Sequence, residues 1–268
     1  MAKKQKQTVV ILGCGQVAWH LASHLHSLRR FNLHLYNHRP SEHLYTFSSQ
    51  LDCTVYDSFD HIRKDADVYV FCVSDKALAA AAARVECHNP RALLIHTSGS
   101  MPRNTLGQRL QATAVMYPLQ SFSRQIPLRW SEVPLLLEYK GREAGTALKS
   151  FAALFSPVQQ QVNEEERLRL HLCAVLVNNF TNALYTSAHS LLPDHSHFEL
   201  LWPLMQQTLT KLCHLSPLEA QTGPARRGDR EVQKKHLALL KDHKEIKKVY
   251  KQLSKLIVYQ HKQEDAEF

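Results

Sequence analysis

The run Val9-Val10-Ile11-Leu12-Gly13-Cys14-Gly15-Gln16-Val17-Ala18 constrains this chain more than any other feature. An apolar, strand-like stretch enters a G-x-G-x-x-A turn, and Val17, Leu21, Leu25 and Leu28 then recur on one helical face. A helix that opens directly from such a turn aims its first backbone N–H groups, and the positive end of its dipole, at whatever lies beyond. The first glycine permits the tight bend, the second lets a pyrophosphate approach the backbone, and the small Ala18 lets the helix pack closely on the strand. The pattern therefore predicts a dinucleotide cradle built from Gly13, Cys14, Gly15, Gln16, Val17 and Ala18. A tight turn holding no cofactor is the competing reading, and the strand-turn-helix context weighs against it.

The pattern around the motif supports that context. Strand-like runs recur at Val9 to Leu12, Leu33 to Tyr36, Val68 to Val73, Leu93 to His96, Ala112 to Met116 and Pro134 to Tyr139, with helical spacing between them. Such alternation predicts an α/β fold, a doubly wound, mainly parallel Rossmann sheet, over residues 1–162. After Pro157 to Val162 the pattern becomes helical: Leu168, Leu172, Val175, Leu176, Ala183, Leu184, Ser187 and Leu191 keep a helical period until Pro193. Residues 163–268 are accordingly expected to form an all-α C-terminal domain.

The end of the second strand speaks to the choice of dinucleotide. NAD-binding sheets usually place a carboxylate there to hold the ribose hydroxyls. Here the sequence reads Leu35-Tyr36-Asn37-His38-Arg39-Pro40-Ser41, without Asp or Glu. Arg39, with Asn37 and Ser41, suits a 2′-phosphate, so the expected cofactor is NADP. Val73 and Ser74, ending the run from Val68, are placed on the same carboxyl edge of the sheet.

Composition narrows the class. With 44% hydrophobic and 21% charged residues the chain matches an ordinary globular protein, and no apolar run approaches the ~18 residues of a membrane span. Lys3, Lys4 and Lys6 before Val9 superficially resemble a secretory signal, but the apolar run is too short and lacks a cleavage site. Six cysteines without a C-x-x-C pair suggest a reducing, cytoplasmic setting. Of the net charge of +9, a local +8 lies between Arg226 and Lys262. There Ile246, Val249, Tyr250, Leu253, Leu256 and Ile257 mark an amphipathic helix whose lysines read as its solvated face, so nucleic acid is a disfavoured partner. The pairs Cys87-His88, His195-Ser196-His197 and Cys213-His214 lack the spaced partners of a zinc site, so no metal is expected, and no G-x-S-x-G marks a serine nucleophile.

Glycine is scarce, at eight residues. One lies in His96-Thr97-Ser98-Gly99 after a strand, and two lie in Thr222-Gly223-Pro224-Ala225-Arg226-Arg227-Gly228-Asp229, suggesting backbone held close to a ligand or generic turns. Asn178, Asn179 and Asn182 gather amides on the long helix, able to orient a substrate carbonyl, an imine or a carboxamide, or to bond another helix. The expected catalytic set is Ser98, Asn179, Arg227 and His236, with Asp229 orienting Arg227 or His236.

These motifs, together with Tyr117-Pro118-Leu119-Gln120-Ser121-Phe122 and Asn179-Phe180, resemble across the whole chain a bacterial family of proposed NADP oxidoreductases. That family joins a Rossmann-like domain to an uncharacterised all-helical domain. More distantly the chain is similar to pyrroline-carboxylate reductase, ketopantoate reductase and the deazaflavin-dependent NADP reductases. The resemblance implies NADP, a small-molecule substrate and a homodimer through the helical domain. Tyr117 stands where members often carry His, and the residues four before Asn178, Asn179 and Asn182 are Ala174, Val175 and Asn178 rather than the Lys of β-hydroxyacid dehydrogenases. The resulting expectation is an NADP-dependent oxidoreductase moving hydride to or from a small carbonyl or imine between the two domains. The alternative is a non-catalytic dinucleotide-binding sensor or assembly protein.

Overall fold

Eight strands in the order β3-β2-β1-β4-β5-β6-β7-β8 form one sheet in the computed structural model, which describes residues 6–38, 42–107 and 111–267. They are β1 (Gln7–Leu12), β2 (Phe31–Tyr36), β3 (Thr54–Tyr56), β4 (Val68–Phe71), β5 (Leu93–His96), β6 (Ala112–Pro118), β7 (Leu135–Tyr139) and β8 (Gln159–Gln161). The first six are parallel, β7 runs antiparallel to β6, and β8 is parallel to β7. Helices α1 (Gln16–Ser27), α2 (Glu42–Leu51), α3 (Asp75–Arg84) and α4 (Arg142–Ala152) complete the doubly wound, mainly parallel sheet that the alternation predicts.

The central strands are mostly apolar because helices cover both faces. Along β1, Val9 and Ile11 join one buried cluster with α1, α2 and α4, while Val10 and Leu12 join the opposite one with α3. Two strands escape the sequence pattern: β3 has only three residues, and β8 is three glutamines at the sheet edge. Main-chain pairing with β2 and β7 makes them strands, where composition alone does not.

After β8 the chain is helical. α5 (Glu164–Ala174) opens with a reciprocal capping box, Asn163 Oδ1 accepting from the Glu166 N–H and Glu166 Oε2 from the Asn163 N–H, and glutamates fill its first turn. A π-helical segment, Val175–Phe180, joins α5 to α6 (Thr181–Ser190), so the one long helix expected from the periodicity carries a phase shift at Asn178 and Asn179. Then come α7 (Trp202–Leu212), α8 (Pro217–Ala220), α9 (Arg230–Leu239) and α10 (Lys244–Glu267).

The chain divides into two compact units, Met1–Asn179 and Phe180–Phe268. α5 thus packs with the first unit, although its residue pattern groups it with the helical region. Among the described residues of the second unit only Ala225 and Leu240 are buried apolar residues, whereas Leu204 and Leu209 are each 65% exposed. Among the described residues no helix is long and apolar enough to cross a membrane.

Candidate functional site

The carboxyl edge of the parallel strands carries the site residues. At the end of β1, Gly13 has φ +105°, and a Cβ there would collide with the Cys72 carbonyl oxygen and sit 3.3 Å from the Val73 nitrogen. Its N–H donates to the Tyr36 carbonyl at 2.7 Å, and the Cys72 N–H donates to Leu12 at 2.7 Å, so β2, β1 and β4 converge around a residue that must be glycine. Gly15 is different. It precedes α1 with ordinary backbone angles, and a Cβ there would meet nothing within 4 Å. Ala18 is fully buried against the core, and the first turn of α1 holds no acidic residue. An open glycine at a helix N-terminus free of carboxylates is a cradle into which a pyrophosphate fits.

Arg124, on the loop after β6, reaches this turn. Its Nη2 donates to the Cys14 carbonyl at 2.8 Å, its backbone N–H donates to Gln16 Oε1 at 2.9 Å, and its guanidinium lies 5.1 Å from the ring centres of Trp19 and Phe47. No motif in the sequence around Arg124 marks it for this place. Asn37 donates its N–H to the Tyr56 carbonyl at 3.1 Å, while Arg39 and Ser41 lie outside the described residues. Val73 packs on the second core cluster, and exposed Ser74 precedes α3.

Further along the edge, Ser98 serves its own loop: its Oγ accepts from the Ser100 N–H at 3.2 Å and the Met101 N–H at 3.0 Å. Beneath it lies Arg167 of α5, with 0% exposure. Arg167 donates to the carbonyls of Ser98 (3.1 Å), Gly99 (2.8 Å) and Met101 (2.8 Å) and pairs with Glu138 of β7 at 3.0 Å. One buried cation thereby ties α5, the loop after β5 and β7 together. His96, fully buried, accepts the Ser98 N–H on Nδ1 at 3.2 Å, and burial, aided by the Arg167 charge, lowers its pKa to about 4.

One turn beyond Arg167, His171 places Nδ1 2.9 Å from the Tyr117 hydroxyl at the end of β6. The two rings meet edge to face over Gly99, where a Cβ would come within 2.7 Å of His171 Nδ1 and 2.9 Å of the Tyr117 ring. Tyr117 and His171 line a cavity of about 310 Å³ with Leu119, Gln120, Ser121, Leu170, Val175, Val177, Asn178 and Asn179. Asn179 thus joins this cavity by way of the π segment. Neither Arg167 nor His171 announced itself in the sequence, where Glu164-Glu165-Glu166-Arg167-Leu168-Arg169 reads as a solvated charged turn.

The other expected residues belong to the second unit. Gly223 and Gly228 both have positive φ, at +110° and +69°, so the scarce glycines of that loop meet a conformational need. Arg227 is exposed, Asp229 caps α9 by accepting the Val232 N–H at 3.1 Å, and His236 Nδ1 lies 3.0 Å from the Tyr250 hydroxyl. Asp229 therefore serves the helix start, and the hydrogen-bond partner of His236 is Tyr250. Among the described residues no group of three or more His, Cys, Asp or Glu side chains is placed to hold a metal.

Fold and cradle together define a two-part chain, a Rossmann-type sheet with its glycine turn followed by a helical region. A domain of unknown function, DUF2520, matches residues 133–257. The structure superimposes with a TM-score of 0.89 on a Bacteroides fragilis protein described as a "putative NADP oxidoreductase", at 30% identity over 95% of this chain and 99% of that one. The chain belongs to the family of that protein. In fold it is also similar to a Plasmodium falciparum pyrroline carboxylate reductase with NADP bound (TM-score 0.56, 10% identity, 96% and 100% of the two chains). A Streptomyces aurantiacus imine reductase shares the fold as well (0.57, 12%, 94% and 96%). No curated protein matches by sequence.

Proposed function

We propose that the protein is an NADP-dependent oxidoreductase acting on a small carbonyl or imine compound. The observation that carries this reading is the open cradle at Gly15, held by the obligatory Gly13 at the carboxyl edge of β1. When bound, the dinucleotide supplies or accepts the hydride. Gly13 to Ala18 hold its pyrophosphate, Val73 and Ser74 border it from the end of β4, and Asn37, Arg39 and Ser41 receive the 2′-phosphate. β6 stands three strands from β1, roughly 14 Å along the edge. That spacing sets Tyr117, with Asn179 in the same cavity, well apart from the pyrophosphate cradle. Ser98 and Asn179 in the first unit, and Arg227, Asp229 and His236 in the second, are the candidate catalytic groups.

The second unit exposes large apolar side chains while burying few, which favours a homodimer formed through its helices. None of the six cysteines is joined in a disulfide, which suits a reducing cytoplasm.

The test is titration with NADPH and NADH, following quenching of Trp19, whose ring stacks under Arg124 beside the cradle. NADPH binding preferred over NADH, with the preference lost in Arg39→Ala, supports the cofactor assignment; equal losses for the two cofactors overturn it. NADPH binding without turnover of any carbonyl or imine supports the sensor reading instead.

A further inference from the structure

The cavity between β6 and α5 has a chemical character of its own. Among the described residues lining it there is no Asp, Glu, Lys or Arg; its walls include Leu119, Leu170 and Val175, and its polar side chains include Tyr117, His171, Gln120, Ser121, Asn178 and Asn179. An ionic substrate group would meet no counter-charge there, so the chemistry suits an uncharged molecule, and about 310 Å³ suits a small one. Burial raises the Tyr117 pKa above the ordinary phenol value, against a smaller opposing pull from the Arg167 charge, so the hydroxyl keeps its proton at neutral pH. Gly99 leaves the space in which the Tyr117 and His171 rings meet.

We propose that Tyr117 is the proton donor of this site, acting on the oxygen or nitrogen of an uncharged carbonyl or imine, and that His171 positions and recharges it. This rests on the reductase reading above. As hydride reaches the carbon, the π electron pair of the double bond moves onto the oxygen or nitrogen. That atom takes the proton of Tyr117, whose O–H bond breaks. The phenolate recovers a proton from Nδ1–H of His171, 2.9 Å away, as solvent delivers a proton to Nε2 of the same imidazole. One hydride from the dinucleotide and one proton from solvent are thereby added. The amides of Asn178 and Asn179 line the same cavity and hold the substrate by hydrogen bonds.

The experiment compares wild type, Tyr117→Phe, His171→Gln and the double variant in NADPH affinity, in NADPH oxidation with a panel of neutral ketones and cyclic imines, and in ultraviolet titration of the phenolate. Tyr117→Phe is expected to bind NADPH as wild type does while losing about 100-fold or more in turnover. The double variant is expected to lose little beyond the single one. The phenolate step absent from Tyr117→Phe is expected to move in His171→Gln, a shift that a merely structural histidine would not produce. Wild-type turnover persisting in Tyr117→Phe, or a phenolate step indifferent to His171, overturns the pair while leaving the reductase reading intact. A wild type that binds NADPH but oxidises it with none of the panel overturns both.

Discussion

Arg167 Nη1 donates to the Gly99 carbonyl at 2.8 Å from a side chain with no solvent exposure, joining α5 to the loop after β5. The same guanidinium holds two further carbonyls and Glu138. Arg167→Met removes the cation, strands those carbonyls and leaves Glu138 unpaired, so it should destabilise the fold by about 3–5 kcal/mol. Denaturant unfolding measures this, and a loss under about 1 kcal/mol would show that the network is dispensable.

The two glycines of the cradle should respond oppositely. Gly13→Ala forces a Cβ against the Cys72 carbonyl at positive φ, so it should cost about 1–3 kcal/mol from backbone strain alone. At Gly15 a Cβ would meet no atom within 4 Å, so Gly15→Val should change stability by less than about 1 kcal/mol. NADPH affinity should nonetheless fall at least about tenfold, because the new side chain occupies the open space of the cradle. Thermal melts beside cofactor titrations separate the two, and a Gly15→Val protein with wild-type affinity would contradict the cradle.

His96 predicts an acid-sensitive fold. Its pKa is lowered to about 4, from about 6.5 in an unfolded chain, chiefly by burial. Between those values the unfolded state binds more protons, so the contribution is complete above pH ~6.5 and is lost as pH falls toward about 4. The full effect is at most about 3 kcal/mol. Unfolding free energy measured across this window should slope less steeply in His96→Gln; identical slopes would remove His96 as the source.

The helical unit should associate. Trp202, Leu204 and Leu209 are 56%, 65% and 65% exposed. Light scattering should give twice the chain mass, and Leu204→Glu with Leu209→Glu should shift the protein toward monomer at equal concentration. A wild-type monomer at working concentration would refute the proposed homodimer.

Much of the fold was legible in residue order. The β1–α1 turn could be read because its glycines answer local demands, a positive φ at Gly13 and open space at Gly15, within a strand and a helix of recognisable period. The apolar central strands were legible because burial on both faces leaves an unbroken hydrophobic run. β3 and the glutamines of β8 were not, since pairing with a neighbour makes them strands.

By itself, the sequence determined the doubly wound sheet, the glycine turn between β1 and α1 and the helical second half, because each rests on periodicity or on a conformation that few residues adopt. Only the tertiary structure decided that Arg167 is buried in a charged-looking turn, that His171 meets Tyr117 across 54 positions of chain, and that a π segment brings Asn179 to their cavity. Those relationships depend on where separate elements pack, and an arginine or histidine carries no local mark of the partner it will find across that distance.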